Sequence, residues 1–215
     1  VCLIATFSIT TTSFSQQSEL GNWWIYFGNK KLNKNLNIHH EVQYRNYNFI
    51  GDTEQLLLRV GLGYNLTDNN NNLLLGYGFI HSQNYLDTTD VKAVANEHRI
   101  YQQFITKQSF GRFSLQHRYR IEERFVEDVF KMRFRYFLAA KVALNKPEIK
   151  EKTWYLSAYN EIFIGTKNQF FDRNRVYGGI GYAATSKLKF EAGYMTQLFQ
   201  GSLRDQMNVI CSFSF

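Results

Sequence analysis

Large apolar side chains alternate with polar ones along much of this chain. The alternation is clearest over residues 113–125, where Phe113 and Tyr119 fall on one face and Arg118 and Arg120 on the other. Successive side chains of a β-strand point to opposite faces, whereas residues three or four positions apart share one face of a helix. The pattern therefore predicts a β-strand over this segment.

Similar segments recur through the chain, separated by turns rich in Asn, Gly and Asp. They run for about 10–14 residues, longer than the ~5–6 residues usual for soluble strands and close to the ~9–11 residues of a tilted membrane-crossing strand. The chain contains eleven such segments, whereas bacterial single-chain membrane barrels have an even number of strands. Either 23–27 is not a full wall strand or one segment is wrongly split or missed, so we expect ten to twelve strands and favour twelve. The other segments are 23–27, 36–44, 56–66, 73–81, 97–107, 132–144, 154–164, 173–184, 188–198 and 207–215.

Continuous ladders of large apolar residues on one strand face predict an all-β, transmembrane, antiparallel up-and-down β-barrel. In a bilayer every backbone N–H and C=O needs an internal partner, so membrane-crossing strands must close into a barrel. The apolar face then meets lipid and the polar face meets the lumen. We also expect shorter turns at one end of the barrel and longer loops at the other. Aromatic residues near the segment ends are typical of interfacial girdles: Tyr44, Phe49, Tyr64, Tyr85, Phe113, Phe125, Phe130, Trp154 and Tyr182.

Composition supports this class and excludes others. Aromatic residues make up 17% of the 215 residues, with a single proline and two cysteines, which excludes a disulfide scaffold or a zinc ribbon. The formal net charge is +7, but the basic residues alternate with lipid-type residues and form no separate patch. We therefore expect no nucleic-acid partner.

The two ends of the chain suggest export to a bacterial outer membrane. Residues 1–15 are uncharged and resemble a secretory signal peptide truncated at its start, which leaves 16–215 as one barrel domain. A buried first strand is the alternative reading of that segment. The last segment alternates and ends at Phe215, like the terminal strand that the barrel-assembly machinery reads. The expected surroundings are outer-membrane lipid and lipopolysaccharide, and the sequence names no partner protein.

Several motifs resemble a known family of uncharacterised outer-membrane β-barrels, the domain of unknown function 2490. The resemblance covers most of the chain after the signal-like segment and supports fold and location. It implies no activity, cofactor or ligand. The matching motifs are 20–24, 41–45, 96–99, 118–125 and 133–136.

The polar face of the central strands is dense in charge, and these residues form the candidate site, the charge cluster. A simple hairpin register places Glu122 between Arg99 and Arg135, and Arg124 between Glu97 and Arg133, although a slip by two positions would keep the same faces. Three readings stay open: a salt-bridged plug, an anion-preferring pore or acidic-ligand pocket, and charge facing anionic headgroups. The cluster comprises Glu41, Arg45, Arg59, Glu97, Arg99, Arg118, Arg120, Glu122, Arg124, Arg133, Arg135 and Glu161.

The pattern favours a non-enzymatic barrel, with a lipid-modifying enzyme as a further alternative. Barrel lipid hydrolases place His and Ser two apart on one strand face, and here none of the histidines is followed by Ser at that spacing. Adjacent His39 and His40 diverge on a strand, so they do not predict a metal site. We assign no catalytic, cofactor-binding or metal-binding residue.

Overall fold

The computed structural model describes residues 20–67, 70–86, 89–166 and 170–215, so the signal-like segment lies outside the described residues. The described residues form eleven β-strands, and none of them forms a helix long and apolar enough to cross a membrane. The strands are β1 Gly21–Lys31, β2 Leu36–Asn46, β3 Thr53–Asn65, β4 Asn71–Tyr85, β5 Lys92–Phe110, β6 Phe113–Val126, β7 Val129–Ala143, β8 Thr153–Gly165, β9 Phe171–Ala183, β10 Leu188–Phe199 and β11 Ser202–Ser214.

The eleven strands close into one barrel. Each strand pairs antiparallel with its neighbours in sequence, and β1 closes the barrel by pairing parallel with β11, from Gly21 opposite Gln206 to Asn29 opposite Ser214. In an up-and-down barrel the strand direction reverses at every step, so an odd count leaves the first and last strands running the same way. The prediction of an all-β antiparallel up-and-down barrel of ten to twelve strands is confirmed. The count is eleven and not the favoured twelve, and the β1–β11 seam is parallel.

The connections do not separate into short turns at one end and long loops at the other. Two-residue turns follow β5, β6 and β10, and so occur at both ends of the barrel. Gly111 and Gly201 adopt positive φ in two of these turns, at 55° and 87°. The longest connection, residues 144–152, lies at the end where we expected short turns. The expected contrast between short turns at one end and longer loops at the other was therefore wrong.

The barrel has a polar interior and an apolar exterior, the reverse of a soluble globular domain. Buried positions include Glu41, Arg99 and Glu122, whereas Leu75 and Leu156 on the outer face are 60% and 49% exposed. This inversion follows directly from the alternation in sequence, because each strand has one charged face and one apolar face.

Bare glycine backbone accommodates large interior side chains. A Cβ on Gly76 would lie 2.2 Å from the ring of Tyr101, and a Cβ on Gly181 would lie 2.1 Å from the ring of Tyr155. Both tyrosines are almost completely buried. The glycines therefore let the rings of Tyr101 and Tyr155 pack closely against the backbone of the neighbouring strand inside the barrel.

An apolar cluster fills one side of the lumen. Trp23 and Ile25 of β1 pack there with Tyr177 of β9 and Met195 of β10. This apolar cluster therefore packs beside the parallel β1–β11 pair. The opposite side of the lumen, lined by β5 to β8, carries most of the charged groups.

Candidate functional site

All residues of the charge cluster lie on the inward-facing side of the barrel. Most are buried, and the side chains of Arg118 and Arg124 are the most exposed, at 16% and 18%. Alternation explains this common orientation, because every second residue of β2, β3 and β5 to β8 points into the lumen. The cluster lies toward the end of the barrel where β1 begins, which we call the amino end.

Glu122 is the centre of the cluster and its side chain is fully buried. Its carboxylate accepts hydrogen bonds from Arg133 at 2.6 and 3.0 Å and from Arg135 at 2.5 Å. Arg120 and Arg99 approach it at 3.5 and 3.9 Å. One carboxylate thus ties together guanidinium groups from β5, β6 and β7 in a site closed to solvent.

Two further carboxylates extend this arrangement around the wall. Glu161 of β8 binds Arg118 at 2.7 Å and Arg135 at 2.6 Å, so Arg135 bridges Glu161 and Glu122. Glu41 of β2 accepts a hydrogen bond from Arg59 at 2.9 Å. Charged hydrogen bonds of this kind are short and directional. The Arg118–Glu161 pair also links β6 to β8, which are not neighbours in the sheet.

Glu97 forms the outermost part of the cluster. Arg124 donates to its two carboxylate oxygens at 2.6 and 2.9 Å, and Arg99 also binds both oxygens. This fork-to-fork geometry is the one for which a planar guanidinium is suited.

The strand register differs by two positions from the simple hairpin expectation. Glu122 lies opposite Tyr101 and Arg133, not opposite Arg99 and Arg135. Arg124 lies opposite Arg99 and Lys131, not opposite Glu97 and Arg133. Two-residue turns at 111–112 and 127–128 set this register, and a shift by two keeps every side chain on its predicted face.

Arginine outnumbers glutamate in the charge cluster, and the arginines in excess hydrogen-bond to neutral side chains. Arg45 has no ion pair within the described residues, and it binds Gln43 at 2.5 Å and Gln55 at 2.7 Å. Its guanidinium also lies 3.7 Å from the ring centroid of Trp23. Arg120 binds Gln103 at 2.5 Å in the same way. These contacts satisfy the donors without cancelling the positive charge.

Sequence reasoning missed several members of the interior network. Arg175 contacts Gln197 at 2.8 Å and approaches Glu161 at 3.8 Å, while Asp172 binds Arg133 at 3.1 Å. The ring centroid of Phe163 lies 4.5 Å from Arg135 and 4.6 Å from Arg175. Arg175 lies in the segment 173–184, whose alternation is weak, and Asp172 directly precedes that segment.

The histidines hydrogen-bond or approach polar side chains of neighbouring positions. His40, His98 and His117 lie on the outer face and hydrogen-bond Tyr26, Tyr77 and Tyr136 at 3.1, 2.6 and 2.9 Å. His39 approaches Glu41 at 3.7 Å, and His81 contacts Asn96 at 2.9 Å. The described residues contain no group of His, Cys, Asp and Glu able to hold a metal ion.

A family model described as "Protein of unknown function (DUF2490)" matches residues 20–208. No curated protein and no solved structure matches the chain.

Proposed function

We propose that this chain, which belongs to the DUF2490 family of proteins of unknown function, is an outer-membrane β-barrel of structural or interaction type with a charge-plugged lumen. The apolar exterior supports the membrane location. Leu62, Leu75 and Val176 are 53%, 60% and 50% exposed on the outside of a closed wall. An apolar surface that encircles a soluble protein would drive aggregation, whereas a bilayer covers it.

Aromatic residues at both ends of the strands support the same location. Tyr64 and Trp154 stand near one end, and Tyr85, Phe125 and Phe130 near the other, all at least 39% exposed. Amphipathic rings favour the boundary between headgroups and acyl chains.

Polar groups on the outer face are paired with each other. Besides the three His–Tyr pairs, Asn160 and Asn174 hydrogen-bond at 2.8 Å and Gln102 donates to Glu123 at 3.3 Å. Unpaired polar groups are costly in hydrocarbon, so mutual pairing is the arrangement that a lipid-facing wall favours.

The observation that carries the plug is the buried carboxylate of Glu122 with Arg133, Arg135, Arg120 and Arg99 around it. These side chains reach into the lumen from three strands, and Arg133 and Arg135 pack against the ring of Phe163. A barrel of this size has an interior that side chains can fill. The proposed role is therefore a rigid membrane wall that presents its connecting loops, rather than an open pore.

Conductance of the refolded protein in a planar bilayer tests this role. Heat-modifiable gel mobility first establishes that the sample is a closed barrel. We expect no discrete conductance steps from folded protein at moderate voltage. Reproducible steps whose size follows the salt concentration would contradict the plug.

An anion-preferring passive channel is the second candidate, and the excess of arginine favours it. Arg45 and Arg175 keep positive charge in the lumen beside glutamines. Charged rings of one sign select counter-ions. This candidate requires anion-selective conductance that falls when Arg133 or Arg135 is replaced by Glu.

We further propose that β11, which ends beside Phe215, is the strand through which the barrel-assembly machinery recognises the chain. The strand alternates toward its aromatic end and forms the closing seam with β1. Deletion of Phe215 should lower the fraction inserted by reconstituted machinery while leaving spontaneous refolding in detergent unchanged. Equal insertion of both forms would contradict this role.

A further inference from the structure

Three lysines, which we call the lysine group, lie inside the barrel at the end opposite the charge cluster. Lys107 is near the end of β5, Lys141 near the end of β7 and Lys189 near the start of β10. These positions all lie toward the end where β11 finishes, which we call the carboxy end. Lys107 is exposed and the side chain of Lys141 is 36% exposed, so the lysine group is open to solvent.

The lysine group converges although its members come from distant strands. Lys141 donates to Glu191 of β10 at 2.7 Å, which shows that side chains of β7 and β10 meet across the lumen. The strand register places Lys107 two positions from the level of Lys141, because Lys107 and Ala139 both lie opposite Gln116 of β6. Lys189 lies two positions before Glu191 on the same inward face of β10. Convergence of like charges costs stability, and such arrangements concentrate at functional sites.

Glu191 is the one carboxylate that contacts the lysine group within the described residues. Lys107 and Lys189 have no hydrogen bond or ion pair among the described side chains. The lysine group therefore keeps two uncompensated positive charges at an accessible mouth. In the charge cluster the excess arginines Arg45 and Arg120 bind glutamine side chains, whereas Lys107 and Lys189 have no such partner among the described side chains.

Hydroxyl groups stand beside these lysines on the same inward face. Ser114 and Ser157 are the direct cross-strand neighbours of Lys141, and Ser212 is the neighbour of Lys189. Directly paired residues of neighbouring strands point to the same side of the sheet. Ammonium and hydroxyl donors around a positively charged opening suit an anion that offers several acceptor oxygens.

We propose that the carboxy end of the lumen is a binding site for a soluble phosphate-type dianion, held by Lys107, Lys141 and Lys189 with neighbouring serine hydroxyls. A phosphate monoester carries close to two negative charges and three strong acceptor oxygens, which matches the uncompensated charge and the donors present. The lysines face inward, whereas lipid would cover the outside of the wall. The ligand is therefore a soluble phosphate and not a lipid headgroup.

Calorimetric titration of the refolded barrel in zwitterionic detergent at neutral pH and low salt tests the site, with inorganic phosphate as the probe. We expect saturable binding to the unmodified barrel and at least a tenfold loss of affinity in the double variant Lys107→Gln/Lys189→Gln, because charged hydrogen bonds are each worth about tenfold or more. Lys189→Arg should bind within about twofold of the unmodified barrel, because it keeps the charge.

Lys150→Gln is the matched control, because Lys150 is an exposed turn lysine paired with Glu148 at 2.9 Å and lies outside the strands. It should leave phosphate binding unchanged. If the double variant does not show heat-modifiable mobility, Lys107→Gln alone replaces it and should weaken binding about tenfold.

Absence of phosphate binding to the folded barrel, or equal binding by the lysine variants, would overturn the site. Chloride at the same ionic strength should show no saturable binding. Chloride binding equal to that of phosphate would mean that the lysines only screen charge, and would also overturn the site. Because binding is measured in micelles, the result is independent of whether the lumen conducts or where the barrel resides.

Discussion

Removal of the Glu122 carboxylate tests the charge cluster most directly. In Glu122→Ala, Arg133 and Arg135 lose charged hydrogen bonds of 2.6 and 2.5 Å in a site with no solvent to replace them. Two unit charges about 4 Å apart interact by roughly 4 kcal/mol at an effective dielectric constant of about 20, before desolvation is subtracted. Breaking a buried ion pair on one side typically costs about 3–5 kcal/mol.

Partial compensation keeps the expected loss near the lower end of that range. Arg135 retains Glu161 at 2.6 Å and Arg133 retains Asp172 at 3.1 Å, so neither guanidinium is left without a carboxylate. We therefore expect Glu122→Ala to lower the free energy of unfolding by about 3 kcal/mol. Glu122→Gln keeps the shape and one acceptor oxygen, and should lose less.

Urea unfolding of the barrel in phospholipid vesicles, followed by tryptophan fluorescence, measures this loss. Glu148→Ala is the control, because its ion pair with Lys150 is solvent-exposed and should change the unfolding free energy by less than about 0.5 kcal/mol. If Glu122→Ala unfolds at the same urea concentration as the unmodified barrel, the charge cluster does not stabilise the fold and the reasoning fails.

Three further substitutions probe the wall and the lumen. Gly76→Ala places a Cβ 2.2 Å from the ring of Tyr101 and should cost about 1–3 kcal/mol by urea unfolding, with much of the loss restored by Tyr101→Leu in the same chain. Val176→Arg, near the middle of the outer face of β9, should cost about 2–4 kcal/mol in vesicles but little in detergent, and equal costs in both would contradict a lipid-facing position. Phe163→Leu removes the ring beside Arg135 and should cost about 1–2 kcal/mol, with equal stability counting against that contact.

Side-chain direction was a property of the sequence itself. Arg133 and Arg135 point into the lumen because they occupy alternate positions of a strand whose intervening residues, such as Phe134, are apolar. A strand has a fixed period of two, so the inward and outward sets can be read without knowing the neighbours. The same period predicted every inward-facing member of the charge cluster.

The pairing of those side chains was decided by tertiary structure. Glu122 meets Arg133 in register because the turn at 127–128 has two residues, and a turn of different length would move every partner by whole steps. Arg175 joins the interior network from β9, a strand whose sequence pattern is weak.

The sequence determined the strands, their two faces and the inverted polarity of the barrel, because alternation is local. The sequence also contained eleven alternating segments, but only the closed structure showed that all eleven form the wall, that β1 and β11 pair in parallel, and that Lys141 meets Glu191 across the lumen. Each of these depends on which strands lie across the lumen from one another. Barrel closure sets which strands face each other, through contacts between residues far apart in the chain. The alternation of residues along one strand carries no information about those contacts.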